Sequence, residues 1–145
     1  MKIAIVLSEF NKEITDNLLK GAVSRYKKNL GESFPDDSIY RVPGAFEVPA
    51  IIKQLLKNRR SLDAIITLGC VIKGQTAHFE YISSSVTDSI SRISIESDIP
   101  IIYGILTTYD YNQAIERSDP DKQDKGGDII DAAINTIKVY RNIQK

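Results

Sequence analysis

The only histidine of the chain, His78, closes the stretch "KGQTAH" (Lys73 to His78), just beyond an apolar run that ends near the only cysteine, Cys70. An imidazole exchanges protons near neutrality, so His78 can serve as acid or base at a reacting centre; a lone histidine can equally be a packing or surface residue. Gly74 lets the backbone turn with positive φ or come close to a ligand. Gln75 and Thr76 place donors just before a helix start, where the free N–H groups and the helix dipole favour an anion such as phosphate. The plainer reading of the same residues is a turn at Gly74 and a cap at Thr76. With no second histidine, a metal site is not expected. Cys70, at an apolar strand end, reads as a small buried hydrophobe rather than a nucleophile.

Three other stretches carry residue types suited to a small polar ligand. In "VPGAFEVP", Pro43 and Gly44 are turn residues, and Ala45, Phe46 and Glu47 open a helix whose start is completed by Pro49. Glu47 either complements the helix dipole or binds a polyhydroxylated ligand, which can donate hydrogen bonds to a carboxylate. Phe10, an apolar ring among polar neighbours, is either a lid on the core or a stacking face for a planar heterocycle. Arg117 and Lys125 in "IERSDPDKQDKGGD" are either solvated charges or, if they reach a pocket, a bidentate phosphate partner and a donor to a carbonyl or anion.

The elements that must hold these residues follow from apolar patterning. Ile3 to Leu7 is continuously apolar, as in a strand covered on both faces, and is followed by a helix with Ile14, Leu18, Ala22 and Leu30 on one side, capped by Asn11 or Ser8 and stopped at Gly31. Ser38 to Val42, Ala64 to Leu68 and Ile101 to Leu106 are three further strand candidates. Helices are expected through Ile51 to Leu56, from Phe79 to Glu96, from Asn112 to Arg117, and through Ile130 to Tyr140. This βαβαβαβα order calls for a four-stranded parallel sheet between two helical layers, a three-layer αβα sandwich. Ligands of such sheets bind beyond the carboxyl ends of the strands, which is where "SEFN", "VPGAFE", "GCVIKGQTAH" and "TTYDYN" fall.

Composition narrows the partners. The 145 residues suit one domain, residues 1–145, and charged residues make up 26% with a formal net charge of zero. No basic excess points to nucleic acid, and no polybasic tract to an anionic membrane. The apolar runs fall well short of the roughly 20 residues needed to cross a bilayer. No signal-peptide cleavage site is apparent, and a single cysteine forms no internal disulfide, so a cytoplasmic location is expected.

Taken in order, "EFNKEITDNLLKGA", "VPGAFEVP", "LDAIITLGCVIKGQTAHFEYISSSV", "IPIIYGILTT", "QAIERS" and "KGGD" resemble the 6,7-dimethyl-8-ribityllumazine synthases of riboflavin biosynthesis along nearly the whole chain. The resemblance implies a flavodoxin-like fold and a transferase that needs neither cofactor nor metal. Such an enzyme condenses 5-amino-6-(D-ribitylamino)uracil with 3,4-dihydroxy-2-butanone 4-phosphate and releases phosphate and water. By the same resemblance, Phe10 stacks on the pyrimidine, Ala45, Phe46 and Glu47 hold the substrate with Glu47 on the ribityl hydroxyls, and Cys70, Val71 and Ile72 contact the pyrimidine through backbone. Gln75, Thr76 and Arg117 cradle the phosphate, His78 transfers protons, Lys125 lies near the ligands, and Tyr103 arrives from a neighbouring subunit. The implied assembly is a homopentamer with sites between subunits, many relatives building a 60-subunit shell, and riboflavin synthase consumes the product. Because the first strand starts at the beginning of the chain, the pentamer is the expectation and the shell is left open. Glu9 stands where the family usually has Arg, and Tyr103 where Phe is commoner. A non-catalytic flavin- or phosphate-binding module on the same scaffold would need the loops and Phe10 but not His78.

Overall fold

The computed structural model describes residues 1–145. The chain has five parallel strands, β1 (Ile3–Ser8), β2 (Ile39–Val42), β3 (Ala64–Ile72), β4 (Ile101–Ile102) and β5 (Ile105–Thr108), and five α-helices, α1 (Lys12–Leu30), α2 (Val48–Asn58), α3 (His78–Glu96), α4 (Tyr111–Ser118) and α5 (Lys125–Ile143), strand and helix alternating except that β5 follows β4 and α5 follows α4 directly. The sheet order is β2-β1-β3-β4, with β5 also paired to β3. This is the flavodoxin-like three-layer α/β arrangement: the chain winds outward from β1 to β2, then crosses back over β1 to β3.

The alternation of side chains along the strands divides the core. Ile3, Ile5, Leu7, Ala64, Ile66 and Leu68 pack with Leu18, Ala22 and Tyr26 of α1 and with Ile130, Ala133, Ile134 and Ile137 of α5. Ala4, Val6 and Ile65 pack instead with Val48, Ile52 and Leu55 of α2 and with Val86, Ile90 and Ile93 of α3. Because successive residues of a strand point to opposite faces, both faces of these strands are dry, and the runs read as continuously apolar. α4 lies in the α1 layer, where Ala114 meets Ile14 and Cys70.

The fourth strand position differs from expectation. Instead of one strand from Ile101 to Leu106, the edge is broken into β4 and β5 at Tyr103 and Gly104. Register is kept across the break, Ile65 pairing with Ile101 and Gly69 with Ile105, so no residue is inserted. The reason lies in Thr67. Its buried hydroxyl donates to the Ile102 carbonyl at 3.1 Å and accepts from the Gly104 N–H at 3.0 Å, taking over the main-chain pairing locally. Gly104 is required at this point, since a Cβ there would lie 2.2 Å from the Thr67 carbonyl oxygen. β3 also runs four residues beyond the expected Leu68, because β5 supplies it with partners as far as Ile72.

α1 ends at Gly31, whose φ of 75° closes the helix by a hydrogen bond from its N–H to the Lys27 carbonyl. At the other end Asn11 occupies the cap position with φ 59° but does not cap through its side chain, which donates to the Cys70 carbonyl at 3.1 Å and ties the first loop to the end of β3. Ser8, the alternative cap, is wholly buried, and its Oγ has no hydrogen-bond partner. A buried hydroxyl without a partner costs stability, so Ser8→Ala should raise the unfolding free energy by about 1 kcal/mol. Chemical denaturation of the two proteins at equal concentration measures this; a less stable variant would contradict it.

Candidate active site

A cleft of about 540 Å³ opens at the carboxyl ends of β1, β2 and β3, on the α2 and α3 side. It sits where β1 and β3 send their connections to opposite faces, the place at which open α/β sheets leave a crevice. Phe10 enters from the loop after β1, Pro43 to Glu47 from the segment after β2, Cys70 to Ile72 from β3, and Gly74, Thr76, His78, Phe79 and Ile82 from the loop and first turn of α3.

Local sequence explains how these groups are presented. The first loop is held to the second by main-chain bonds, Glu9 N–H to the Val42 carbonyl at 2.9 Å and Phe10 N–H to the Pro43 carbonyl at 3.0 Å. These bonds continue the β1–β2 pairing past the strand ends and carry the Phe10 ring outward, where it is 70% exposed. Glu9 also pairs with Arg41 of β2 at 3.5 Å, on the surface. After β2, Ala45–Glu47 form a single 3-10 turn leading into α2, with Pro49 in the first helical turn. Glu47 Oε2 accepts the Gly44 N–H at 3.0 Å, which fixes the carboxylate beside the cleft. Phe46 is exposed and lines the cleft wall, while Ala45 is buried beneath it.

Alternation along β3 decides what its residues offer. Cys70 packs its side chain with Ile14 and Ala114 on the opposite face of the sheet, and Ile72 leans against the same group. What these two residues present to the cleft is therefore main chain, while Val71 points its side chain to the cleft side. Burial pushes the Cys70 thiol up to about 12, so it stays protonated at neutral pH.

The loop from Lys73 to Ala77 corrects two expectations. Gly74 does not adopt positive φ, and a Cβ at its position would meet nothing within 4 Å. Open space is what the absent side chain provides. Thr76 is not the cap of the plainer reading: the N-cap of α3 is Ala77, with no side-chain capping bond, and Thr76 Oγ1 only accepts the His78 N–H two residues on at 3.4 Å; both Thr76 and His78 line the cleft. His78 is the first residue of α3 and is exposed.

Nine of the expected site residues thus gather in one cleft: Phe10, Ala45, Phe46, Glu47, Cys70, Val71, Ile72, Thr76 and His78. Gln75 belongs to the same loop without lining it. Three others lie elsewhere. Tyr103 sits at the break in the sheet edge, its hydroxyl 2.9 Å from Thr87 Oγ1 of α3. Arg117 is on α4 in the opposite layer, donating to the Gln113 carbonyl at 3.2 Å, and Lys125 begins α5, 3.3 Å from Asp128. Phe79 and Ile82 are wall residues that residue order marks only as the first residue and an apolar position of the helix expected from Phe79 to Glu96. Their signal was adjacency to His78, one residue and one helical turn on. No three histidine, cysteine, aspartate or glutamate side chains are grouped so as to hold a metal ion, and no helix is long and apolar enough to cross a membrane.

Fold and cleft together define a layered α/β protein that receives a small molecule at the strand-end switch point, with aromatic faces, one carboxylate and one imidazole around it. Residues 1–141 match the sequence model of one family, 6,7-dimethyl-8-ribityllumazine synthase, and the chain belongs to that family, transferases of riboflavin synthesis.

Proposed function

We propose that the protein condenses 5-amino-6-(D-ribitylamino)uracil with 3,4-dihydroxy-2-butanone 4-phosphate to 6,7-dimethyl-8-ribityllumazine, releasing phosphate and water. The observation that carries the proposal is the joint presence, in one cleft, of Phe10, Glu47, Thr76 and His78, residues drawn from three separate loops. In this reading the pyrimidine stacks on Phe10 and meets main-chain groups of Cys70, Val71 and Ile72. Ala45 and Phe46 wall the substrate, and the Glu47 carboxylate accepts hydrogen bonds from ribityl hydroxyls. The phosphate lies over Gln75 and Thr76, at the start of α3, where N–H groups and the helix dipole favour negative charge.

His78, at the same helix start, moves the protons. It protonates the hydroxyl that departs as water when the amine and ketone form an imine. Phosphate loss then needs its growing negative charge stabilised, and ring closure needs the two reactants held together, both of which are binding effects. Tyr103, Arg117 and Lys125 lie outside the cleft of their own chain. In a homo-oligomer with sites between subunits they act on a neighbour's cleft, Arg117 as a phosphate partner and Tyr103 as a closing ring. The pentamer belongs to the same proposal, as does a cytoplasmic location.

Mixing the two substrates with the protein and following lumazine absorbance tests the reaction. Turnover well above the spontaneous condensation is expected. Tight riboflavin or phosphate binding with no acceleration would instead identify a non-catalytic binding module, and light scattering of the native particle separates pentamer from shell.

A further inference from the structure

In the segment Gly74–Ala77, which carries Gln75 and Thr76, residues 74–76 make no main-chain hydrogen bond; the only bonds are local ones to the start of α3, Thr76 Oγ1 accepting the His78 N–H at 3.4 Å and the Ala77 carbonyl accepting the Tyr81 N–H at 3.3 Å. A segment so loosely held needs another source of order if it is to present donors to an anion. Its two ends share a single neighbour. Lys73, immediately before the segment, donates its N–H to the Thr108 carbonyl at 2.9 Å and places Nζ 5.8 Å from the centre of the Tyr109 ring. Phe79, just after His78, sets its ring 6.4 Å from the same Tyr109 ring, inclined by 45°.

Tyr109 is itself anchored from below. Its N–H donates to Gln113 Oε1 at 2.9 Å, and the Thr108 hydroxyl donates to the Asp110 carbonyl at 2.9 Å, so the turn between β5 and α4 is internally bonded. The ring is nevertheless 70% exposed and contributes nothing to the core. An exposed ring on a bonded turn, touching the residue before the loop and the residue after His78, has the geometry of a clamp. A cation over a ring face and a tilted ring pair are both favourable contacts.

We propose that Tyr109 is a positioning residue for the phosphate-facing loop, holding Lys73 and Phe79 so that Gln75, Thr76 and His78 keep fixed relative positions. The consequence for activity rests on the reading of that loop given above; the ordering of the loop does not.

Three proteins test it: wild type, Tyr109→Ala and Tyr109→Phe. Amide hydrogen exchange of Lys73, whose N–H is held by the Thr108 carbonyl, should be about tenfold faster in the alanine variant. Tyr109→Phe, which retains the ring, should restore the wild-type rate. Inorganic phosphate should inhibit Tyr109→Ala about fivefold more weakly, with a matching rise in KM for the phosphate substrate, while KM for the uracil and the melting temperature stay close to wild type. Unchanged exchange in Tyr109→Ala, or a phenylalanine variant as impaired as the alanine one, would overturn the clamp. Exchange that responds as expected in a protein without condensation activity would uphold it and sink the catalytic reading instead.

Discussion

His78→Ala is expected to lower kcat by about 10² or more, the range that a positioned acid or base supplies, with KM for both substrates changed much less. The argument is one of elimination within the cleft. Only three side chains among its lining residues can exchange a proton: Glu47, Cys70 and His78. The Glu47 carboxylate already accepts the Gly44 N–H. The Cys70 thiol is buried on the far face of the sheet, with its ionisation pushed up to about 12, and neither donates nor accepts protons readily near neutrality. His78 remains, exposed and at the helix start where phosphate is expected. Stopped-flow absorbance under saturating substrate separates the chemical step from binding. A variant within threefold of wild type in kcat would remove His78 from the reaction and leave positioning as the whole of catalysis.

Gly126→Ala should destabilise the protein by about 3 kcal/mol and lower its melting temperature by about 10 °C. α5 crosses α1 at this glycine, and a Cβ there would lie 2.0 Å from the Leu18 carbonyl oxygen and 2.8 Å from the Leu18 carbonyl carbon. These are main-chain atoms inside a helix, so relief requires separating the helices. The separation would also strain what joins them nearby. Arg25 of α1 pairs with Asp124 at 2.9 Å and with Asp131, and Gly21 leaves room for Asp124, whose Oδ1 caps α5 at the Gly127 N–H. Gly74→Ala is the matched control, because its Cβ would meet open space, and it should change stability by less than about 0.5 kcal/mol. Calorimetry at fixed protein concentration checks both; equal stabilities of the two variants would contradict the packing argument.

Much of this architecture was readable in residue order. The run Ile3 to Leu7 announces a strand covered on both faces, and Gly31 marks a helix stop that its positive φ explains. The helix after "KGQTA" begins one residue earlier than the expected Phe79, at His78 itself. By contrast, Gly104 is the only residue of "IPIIYGILTT" that hints at the break, and what it makes room for is not in the stretch. The break depends on the hydroxyl of Thr67, a residue 36 positions earlier than Tyr103 that reads locally as a β-branched strand former.

Residue order alone therefore determined the alternation of strands and helices, the parallel sheet, and the fact that the chemically capable loops share one end of it. These follow from apolar period and turn chemistry, which act between near neighbours. The tertiary structure decided the rest. It decided that Cys70 turns its thiol away and offers main chain to the cleft, that Gly74 supplies space rather than a left-handed turn, and that Tyr103, Arg117 and Lys125 stand outside the cleft of their own chain. Each of those outcomes depends on which face of the sheet a residue occupies and on what another element, far off in sequence, has placed opposite it. Local spacing carries no record of that partner.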